Sequence, residues 1–309
     1  MIEYIAKRMI QIIPVFLIVS FLIVSLTRMV PGDPVRNILG EEATEEQYRE
    51  LSEKFGLDKP IVVQYVVYVK NLLRGDMGRT YFRNLPVSKE IGDRFPNTFR
   101  IAVIAAAVST AVGIGLGVTA ALHRGKALDS LIMVLSLIAV STPIFFLCII
   151  LMVAFGVELK WLPVMGLATW KHYILPVVSL SVQSVATISR TMRSSMLDVM
   201  GEDYIRTAWA CGIPRHVVIY KNAVRNAMIP VVTVIGFQFG SLLTGAAITE
   251  SVFSINGMGS YMVSGVMSRD YPVVQGTILL FALIFVAVNL ITDLCYGLLD
   301  PRVTLGEKR

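Results

Sequence analysis

The chain of 309 residues contains few charged residues and very few cysteines. Asp, Glu, Lys and Arg account for 16% of the residues, whereas they form about 25% of a typical soluble domain. Cys148, Cys211 and Cys295 are far apart and include no CxxC pair, which argues against a disulfide framework or a metal cluster. We expect these cysteines to be small apolar packing residues.

Motifs for ATP binding and catalysis are also absent from the sequence. A phosphate-binding loop requires the pattern GxxxxGK[ST], but the Gly-Lys pair at Gly125 is followed by alanine. HExxH and GxSxG do not occur, and His123, His172 and His216 lack metal-ligand spacing. The sequence therefore predicts a chain that is not an enzyme, with no catalytic residue, metal or cofactor of its own, and an intramembrane enzyme is poorly supported.

Long apolar runs dominate the sequence instead. Apolar and aromatic residues make up 55% of the chain, and its mean hydropathy is +0.67. A helix that crosses a hydrocarbon layer needs roughly 20 mostly apolar residues. We predict six such helices, at residues 9–27, 98–122, 131–157, 173–189, 228–249 and 274–299. The first is too long for a signal peptide and lacks a cleavage site, so we expect it to be retained. Thr142-Pro143 is expected to break or bend the third.

The distribution of Lys and Arg predicts the orientation of these helices. Lys7 and Arg8 precede the first predicted span, and Arg124 and Lys126 lie between the second and third. A larger basic group lies between the fourth and fifth spans: Arg190, Arg193, Arg206, Arg215, Lys221 and Arg225. Because cytoplasmic loops are enriched in Lys and Arg, we expect both termini in the cytoplasm. The same enrichment accounts for the net charge of +6 without a nucleic-acid partner.

Ionisable residues are nearly absent from the middle of the predicted spans. Glu250 and Asp293 lie near span ends, and Gln183, Gln238 and Asn289 are polar but neutral. Ion-coupled transporters commonly place ionisable groups inside the bilayer. A secondary transporter that works alone is therefore a weaker interpretation of this sequence.

Residues 31–97 are predicted to form a folded helical insertion. Thr44 followed by Gln47 indicates a capping box, and Gly56 fits the C-terminal cap of the same helix. A second helix is predicted from Pro60 to Leu73. The residues expected on the buried faces are Tyr48, Leu51 and Phe55 in the first helix and Val62, Tyr65, Val69 and Leu72 in the second. The predicted topology puts this insertion outside the cytoplasm, where it would shape an entry vestibule, dock a partner or cap the bundle.

The cytoplasmic segment between the fourth and fifth spans, residues 190–228, has a helical pattern. One face carries residues four apart: Met196, Met200, Tyr204 and Ala208. Glu202 and Arg206 are spaced for an ion pair, Gly212 is expected to end the helix, and Pro214 to start the next. Two short helices with a tight bend fit either a stiff element that couples an external ATPase to a membrane gate or an amphipathic loop on the lipid surface.

This same segment resembles a known family. Arg206-Thr207-Ala208, followed after three residues by Gly212, resembles the EAA loop of ABC import permeases, whose coupling helix inserts into a cleft of the ATPase subunit. The general pattern has Glu where this chain has Arg206 and Pro where it has Arg225. Segments along nearly the whole chain are similar to the dipeptide, oligopeptide and nickel permease branch: Val30-Pro31-Gly32-Asp33-Pro34, Gly56-Leu57-Asp58-Lys59-Pro60, Gly75-Asp76-Met77-Gly78, Thr142-Pro143, Trp161-Leu162-Pro163, Arg193-Ser194-Ser195-Met196-Leu197, Glu202-Asp203-Tyr204-Ile205, Arg225-Asn226-Ala227-Met228-Ile229-Pro230, Arg269-Asp270-Tyr271-Pro272-Val273-Val274-Gln275-Gly276 and Asp300-Pro301-Arg302.

The resemblance implies an all-α integral membrane protein with about six transmembrane helices and the type I ABC importer permease fold. The implied regions are an N-terminal transmembrane helix at 1–30, an extracytoplasmic helical insertion at 31–97, a core permease domain at 98–300 that contains the coupling loop 190–228, and a cytoplasmic tail at 301–309. The implied location is the cytoplasmic membrane of a bacterium or archaeon, as a multi-pass protein.

The implied function is that of the B-type membrane subunit of a peptide importer. Its implied partners are a second, homologous permease subunit, two ABC ATPase subunits that bind the ATP and Mg²⁺, an extracytoplasmic substrate-binding protein, a peptide substrate and the lipid bilayer. Close relatives in such a family carry nickel, metallophore complexes or glutathione, so the cargo remains open between these and a dipeptide or oligopeptide.

Two groups of residues are candidates for function under this resemblance. The candidates for coupling to the ATPase are Glu202, Asp203, Tyr204, Arg206, Thr207, Ala208 and Gly212. Gly212 would permit the bend, Tyr204 and Ala208 would fill the cleft, and Glu202 and Arg206 would make polar contacts at its rim. The candidates for lining the pathway are Ser136, Ser141, Gln183, Ser184 and Gln238, for which hydrogen bonds between helices are the competing explanation.

Overall fold

A computed structural model describes the backbone of residues 2–29, 32–40 and 43–299, and the side chains of residues 13–29, 32–40 and 43–292. Parts of several sequence predictions lie outside these residues: the Val30-Pro31 and Asp300-Pro301-Arg302 motifs, the 301–309 tail and the side chains of Lys7 and Arg8. The α-helices are α1 Ile2–Met29, α2 Pro34–Leu39, α3 Glu45–Phe55, α4 Ile61–Leu72, α5 Val87–Leu122, α6 Ala127–Ser141, α7 Ile144–Leu151, α8 Trp170–Met200, α9 Asp203–Ala210, α10 Arg225–Val252, α11 Met258–Ser268 and α12 Tyr271–Leu299.

Each of the six predicted spans falls on helix. Within the described residues, four helical stretches are long and apolar enough to cross a membrane: Val87–Leu122, Trp170–Met200, Val217–Val252 and Tyr271–Thr292. A fifth is α6 together with Ile144–Glu158, bent by 104° at the break between them. The predicted break at Thr142-Pro143 is therefore confirmed. α1 contributes a shorter apolar stretch at Ile13–Met29.

The chain divides by its contacts into two compact units, which differ from the regions expected from sequence. The first unit comprises Met1–Thr98 and Asn256–Val286, so it joins the N-terminal third to a segment that follows α10. The second comprises Phe99–Ile255 and Ala287–Arg309. The predicted boundaries at 30, 97 and 300 remain a sequence-based division.

The helices of the insertion begin and end where the sequence predicts. Thr44 and Gln47 form the capping box of α3, and Gly56 caps its C-terminus in the left-handed conformation, with φ of +65°. α4 follows Pro60 directly. Its predicted buried face is wrong at Val62, which is 62% exposed. No side chain of α4, all of which the structure describes, is fully buried.

A small core in the first unit holds the base of α5 against α11 and α12. Val87, Ile91, Met258 and Val273 are buried in contact with one another. The loop before α5 is fixed by backbone hydrogen bonds within residues 78–87 and by the buried carboxylate of Asp270, whose Oδ2 accepts a hydrogen bond from the Tyr81 amide at 2.9 Å. The loop is therefore closed on itself between Gly78 and Val87 and held at Tyr81 to the residue that precedes α12.

Glycines bring α5 and α8 into close contact in the second unit. A Cβ at Gly113 would lie 2.8 Å from Ile188, and one at Gly117 would lie 2.6 Å from the Ser189 carbonyl oxygen. Small residues four apart are the usual means by which membrane helices approach closely. Gly115, between them in sequence, takes no part in this contact, because nothing lies within 4 Å of a Cβ at that position.

Candidate functional site: the α8–α10 connection

The connection between α8 and α10 contains one short helix and not two. α8 continues to Met200, eleven residues beyond the predicted end of its span. After Gly201 and Glu202 comes α9, Asp203–Ala210. The second predicted helix starts at Pro214 as expected, but it runs through a π-helical stretch, Val217–Val224, into α10 without interruption. The short helix is thus attached at both ends to long helices.

The turn that ends α9 depends on Gly212. The Gly212 amide donates a hydrogen bond to the Trp209 carbonyl at 3.0 Å, and the Ile213 amide donates to the Ala208 carbonyl at 3.2 Å. This pair of bonds is a Schellman motif, which requires a left-handed residue at the Gly212 position. Gly212 has φ of +72°, a conformation that costs a residue with a side chain about 1–2 kcal/mol. The predicted helix end at Gly212 is confirmed.

One face of α9 is anchored in the core of the second unit. Ile205 and Ala208 are buried in a cluster formed mainly by α5, α8 and the helix that follows α9. The buried members of the cluster are Val118, Ala121, Ile188, Met192, Met196, Ile205, Ala208, Val218, Ile219, Ala223, Ala227 and Val231. Ala208, expected to fill a partner's cleft, is 8% exposed and packs within this chain, so its side chain leaves little surface for a partner. Ile205, which is not among the predicted coupling residues, is the completely buried anchor.

The other face of α9 is exposed. Six of the seven predicted coupling residues are on this surface: Glu202, Asp203, Tyr204, Arg206, Thr207 and Gly212. Trp209, absent from the prediction, is also exposed, at 38%. The exposed side of α9 therefore offers an aromatic ring in addition to the predicted residues.

The predicted ion pair between Glu202 and Arg206 does not form. Arg206 instead lies 3.5 Å from Asp203, one helical turn away. The helix begins at Asp203, so Glu202 is in an extended conformation outside the first turn. For the same reason, the predicted face from Met196 to Ala208 is interrupted between α8 and α9.

Tyr204 connects α9 to α10. Its hydroxyl oxygen accepts a hydrogen bond from Nδ2 of Asn226 at 2.8 Å, and the same amide group donates to the Asn222 carbonyl at 3.0 Å. This contact spans 22 residues and was not predictable from the helical pattern. It fixes the exposed Tyr204 ring relative to the start of α10.

The predicted pathway residues differ in their surroundings. Ser136 and Ser184 are buried, and Ser136 shares a hydrogen bond with Ser189 at 3.1 Å. Gln183 is half-buried and donates to the Thr142 carbonyl at 2.8 Å. Burial inside the chain does not suit a lining role for Ser136 and Ser184, so hydrogen bonding between helices accounts for Ser136 and Gln183. Ser141 is exposed and Gln238 half-buried, and their lining role stays a prediction.

Comparisons with known proteins cover nearly the whole chain. Residues 113–305 match the family described as "Binding-protein-dependent transport system inner membrane component", and residues 1–102 match its N-terminal counterpart. The glutathione transport system permease proteins GsiC of Salmonella paratyphi A and Escherichia coli K12 are each 40% identical over 303 residues, which is 98% of this chain and 99% of the relative.

Solved structures support the fold. A chain of the MetNI methionine ABC transporter superposes with a TM-score of 0.59 at 16% identity, covering 68% of this chain and 96% of that one. A chain of an amino acid ABC transporter gives 0.52 at 13% identity, covering 68% and 94%. Together, the sequence matches, the apolar helices and this fold show that the chain belongs to the family of binding-protein-dependent transport system inner membrane components, the membrane permease subunits of bacterial ABC importers.

Proposed function

We propose that this chain imports small peptides, with glutathione among the candidate cargoes, as one of two related membrane subunits served by two ATPase subunits and an extracytoplasmic binding protein. The observation that carries the proposal is the similarity, over 98% of this chain, to relatives named as glutathione transport permeases. Glutathione is a tripeptide, so it unites the peptide and glutathione interpretations of the sequence.

We further propose that α9 is the coupling helix. Its exposed face offers an aromatic ring, charged groups and a hydroxyl to a neighbouring subunit, whereas Ile205 and Ala208 hold its other face in the bundle. Two residues separate α9 from α8, and a tight turn separates it from the helical stretch that starts at Pro214 and runs into α10. A displacement of α9 would therefore carry the ends of both long helices with it. ATP and Mg²⁺ would be bound by the partner ATPase subunits, and the movement of those subunits would be transmitted to this chain through α9.

Gly212→Asp tests the coupling role in the assembled transporter. We expect the rate of peptide-stimulated ATP hydrolysis to fall by about tenfold or more. An aspartate in the left-handed backbone conformation would distort the turn after α9 and add a negative charge there. The amount of folded permease in the membrane should stay close to that of the wild type. Uptake of labelled dipeptide and of glutathione in proteoliposomes, measured in parallel, would identify the cargo.

A matched control is available in the insertion. Gly56 ends α3 with the same pair of backbone hydrogen bonds, has φ of +65°, and has nothing within 4 Å of a Cβ, as at Gly212. Gly56→Asp therefore introduces the same strain and charge far from α9 in sequence, and should leave stimulated ATP hydrolysis nearly unchanged. Normal stimulation in Gly212→Asp would contradict the assignment of α9.

A further inference from the structure

The face of α6 that turns inward is narrow and polar. Its buried residues are Asp129, Ile132 and Ser136, spaced three and four apart on one side of the helix. The remaining surface is strongly apolar, and five residues are more than half exposed: Leu131, Val134, Leu135, Leu137 and Ile138. In lipid, such apolar surface gains little from leaving the hydrocarbon, so polar contacts and close packing determine which partner the helix holds.

The strongest of these polar contacts joins α6 to α8. Arg193 donates from Nε to Asp129 Oδ1 at 2.5 Å and from Nη2 to Oδ2 at 2.7 Å, which is a bidentate pair. Asp129 also accepts a hydrogen bond from the Gly125 amide at 3.0 Å and is only 4% exposed. Bidentate Arg–carboxylate pairs fix geometry as well as charge. Removing one partner of a buried pair leaves the other charge unpaired.

Two neutral contacts continue the interface along α6. Ser136 and Ser189 are joined by a hydrogen bond at 3.1 Å in the middle of the helix. At its far end, Gln183 donates to the carbonyl of Thr142, where the span breaks before α7. α6 and α8 are therefore fastened at both ends and in the middle, and only the end near α9 carries charge.

Arg193 lies near the end of α8 that leads to α9. α8 ends seven residues later at Met200, and two residues then separate it from α9. A movement that enters at α9 passes directly to α8, and it reaches α6 by this route if α6 follows α8. We infer that Asp129 and Arg193 are positioning residues that make α6 move with α8, and so transmit the coupling stroke to the broken span. This inference rests on the proposed function of α9.

The test separates ATP hydrolysis from transport in the reconstituted importer. In Asp129→Asn we expect peptide-stimulated ATP hydrolysis to stay within about twofold of wild type, whereas peptide moved per ATP falls by about tenfold or more. The matched control is Asp198→Asn, which removes an exposed carboxylate from the same end of α8 and should leave the ratio unchanged. If Gly212→Asp abolishes stimulation but Asp129→Asn leaves the ratio unchanged, α9 keeps its role and the positioning inference falls.

A covalent link distinguishes transmission from mere stability. In a cysteine-free background, Ser136→Cys with Ser189→Cys places two thiols where the hydroxyls are 3.1 Å apart. Oxidation of this pair in the Asp129→Asn variant should restore the peptide moved per ATP, and reduction should abolish it again. The inference is overturned if the disulfide forms but the peptide moved per ATP stays low. It is also overturned if Asp129→Asn lowers ATP hydrolysis and transport together and the disulfide restores neither.

Discussion

Asp270 is a buried acid just before α12, outside the spans. It is 4% exposed, and its Oδ2 accepts a hydrogen bond from the Tyr81 amide. Burial raises the pKa of this carboxyl to about 6, and backbone amides, that of Tyr81 foremost, only partly oppose the increase. The charged form of Asp270 therefore lowers the stability of the fold, while its hydrogen bond to the Tyr81 amide holds the loop before α5 in place.

Asp270→Asn should change how stability depends on pH. Because the folded-state pKa lies above the unfolded value of 3.8, wild-type stability falls as pH rises from about 4 to about 6 and is level above that. The shift corresponds to about 3 kcal/mol. Asparagine keeps the acceptor but carries no charge, so the variant should gain in melting temperature relative to wild type as pH increases through this interval. Thermal unfolding in detergent from pH 4.5 to 8 measures this.

The exposed Asp93 provides the control for that experiment. Asp93→Asn removes a carboxylate from the surface of α5 and should give a curve parallel to the wild type. If the melting temperature of Asp270→Asn also runs parallel to that of the wild type from pH 4.5 to 8, the raised pKa of the Asp270 carboxyl is contradicted.

Single residues at the candidate site were predictable to different degrees. Gly212 was predictable because a glycine after a helical pattern is the common way to end a helix. The partner of Arg206 was not, because Glu202 and Asp203 are adjacent acids and the choice depends on where α9 begins. The burial of Ala208 was not predictable either, since a small residue fits a core and an interface equally well.

At the scale of elements, glycine spacing controls the approach of α5 to α8. Gly113 and Gly117 lie on the contact face, and Gly115 does not. An isolated glycine in a helix costs up to about 1 kcal/mol of stability relative to alanine. At a helix contact, this cost is offset by the close packing that the glycine permits.

Gly117→Ala and Gly115→Ala should therefore have opposite effects. A methyl group at Gly117 would lie 2.6 Å from the backbone oxygen of Ser189, which cannot move without shifting α8. Overpacking of this kind costs about 1–3 kcal/mol, so we expect a melting temperature several degrees lower. Gly115→Ala meets open space and should be neutral or slightly stabilising. A Gly117→Ala variant as stable as Gly115→Ala would contradict the close contact.

Helical elements were predicted well where apolar length decides, and poorly where helices continue past the apolar run. All six spans fall on helix, yet α5 begins at Val87 and α8 ends at Met200, each eleven residues outside its predicted limit. Polar residues that extend a span beyond the bilayer resemble loop composition, so the pattern alone stops at the hydrophobic boundary. The fusion of the second loop helix with α10 was missed for the same reason.

At the scale of the whole molecule, orientation rests on charge distribution alone. The loops between the second and third spans and between the fourth and fifth carry the Lys and Arg excess, and this predicts that α9 lies on the cytoplasmic side. No packing contact within a single chain distinguishes the two sides of a bilayer. The orientation of the chain in the membrane therefore has to be measured independently.

Cys211 offers such a measurement because it is exposed in the turn after α9, whereas Cys148 is buried. In a variant that retains Cys211 as its only cysteine, a membrane-impermeant maleimide should label the protein in inside-out vesicles and not in right-side-out vesicles. Glu53→Cys in a cysteine-free background, on the exposed side of α3, should show the reverse pattern. Bound ATPase subunits should slow the labelling of Cys211, since docking on α9 covers this turn. Labelling of Cys211 from the outer side would put α9 beyond the reach of any cytoplasmic ATPase, and the proposed route of coupling would then be impossible.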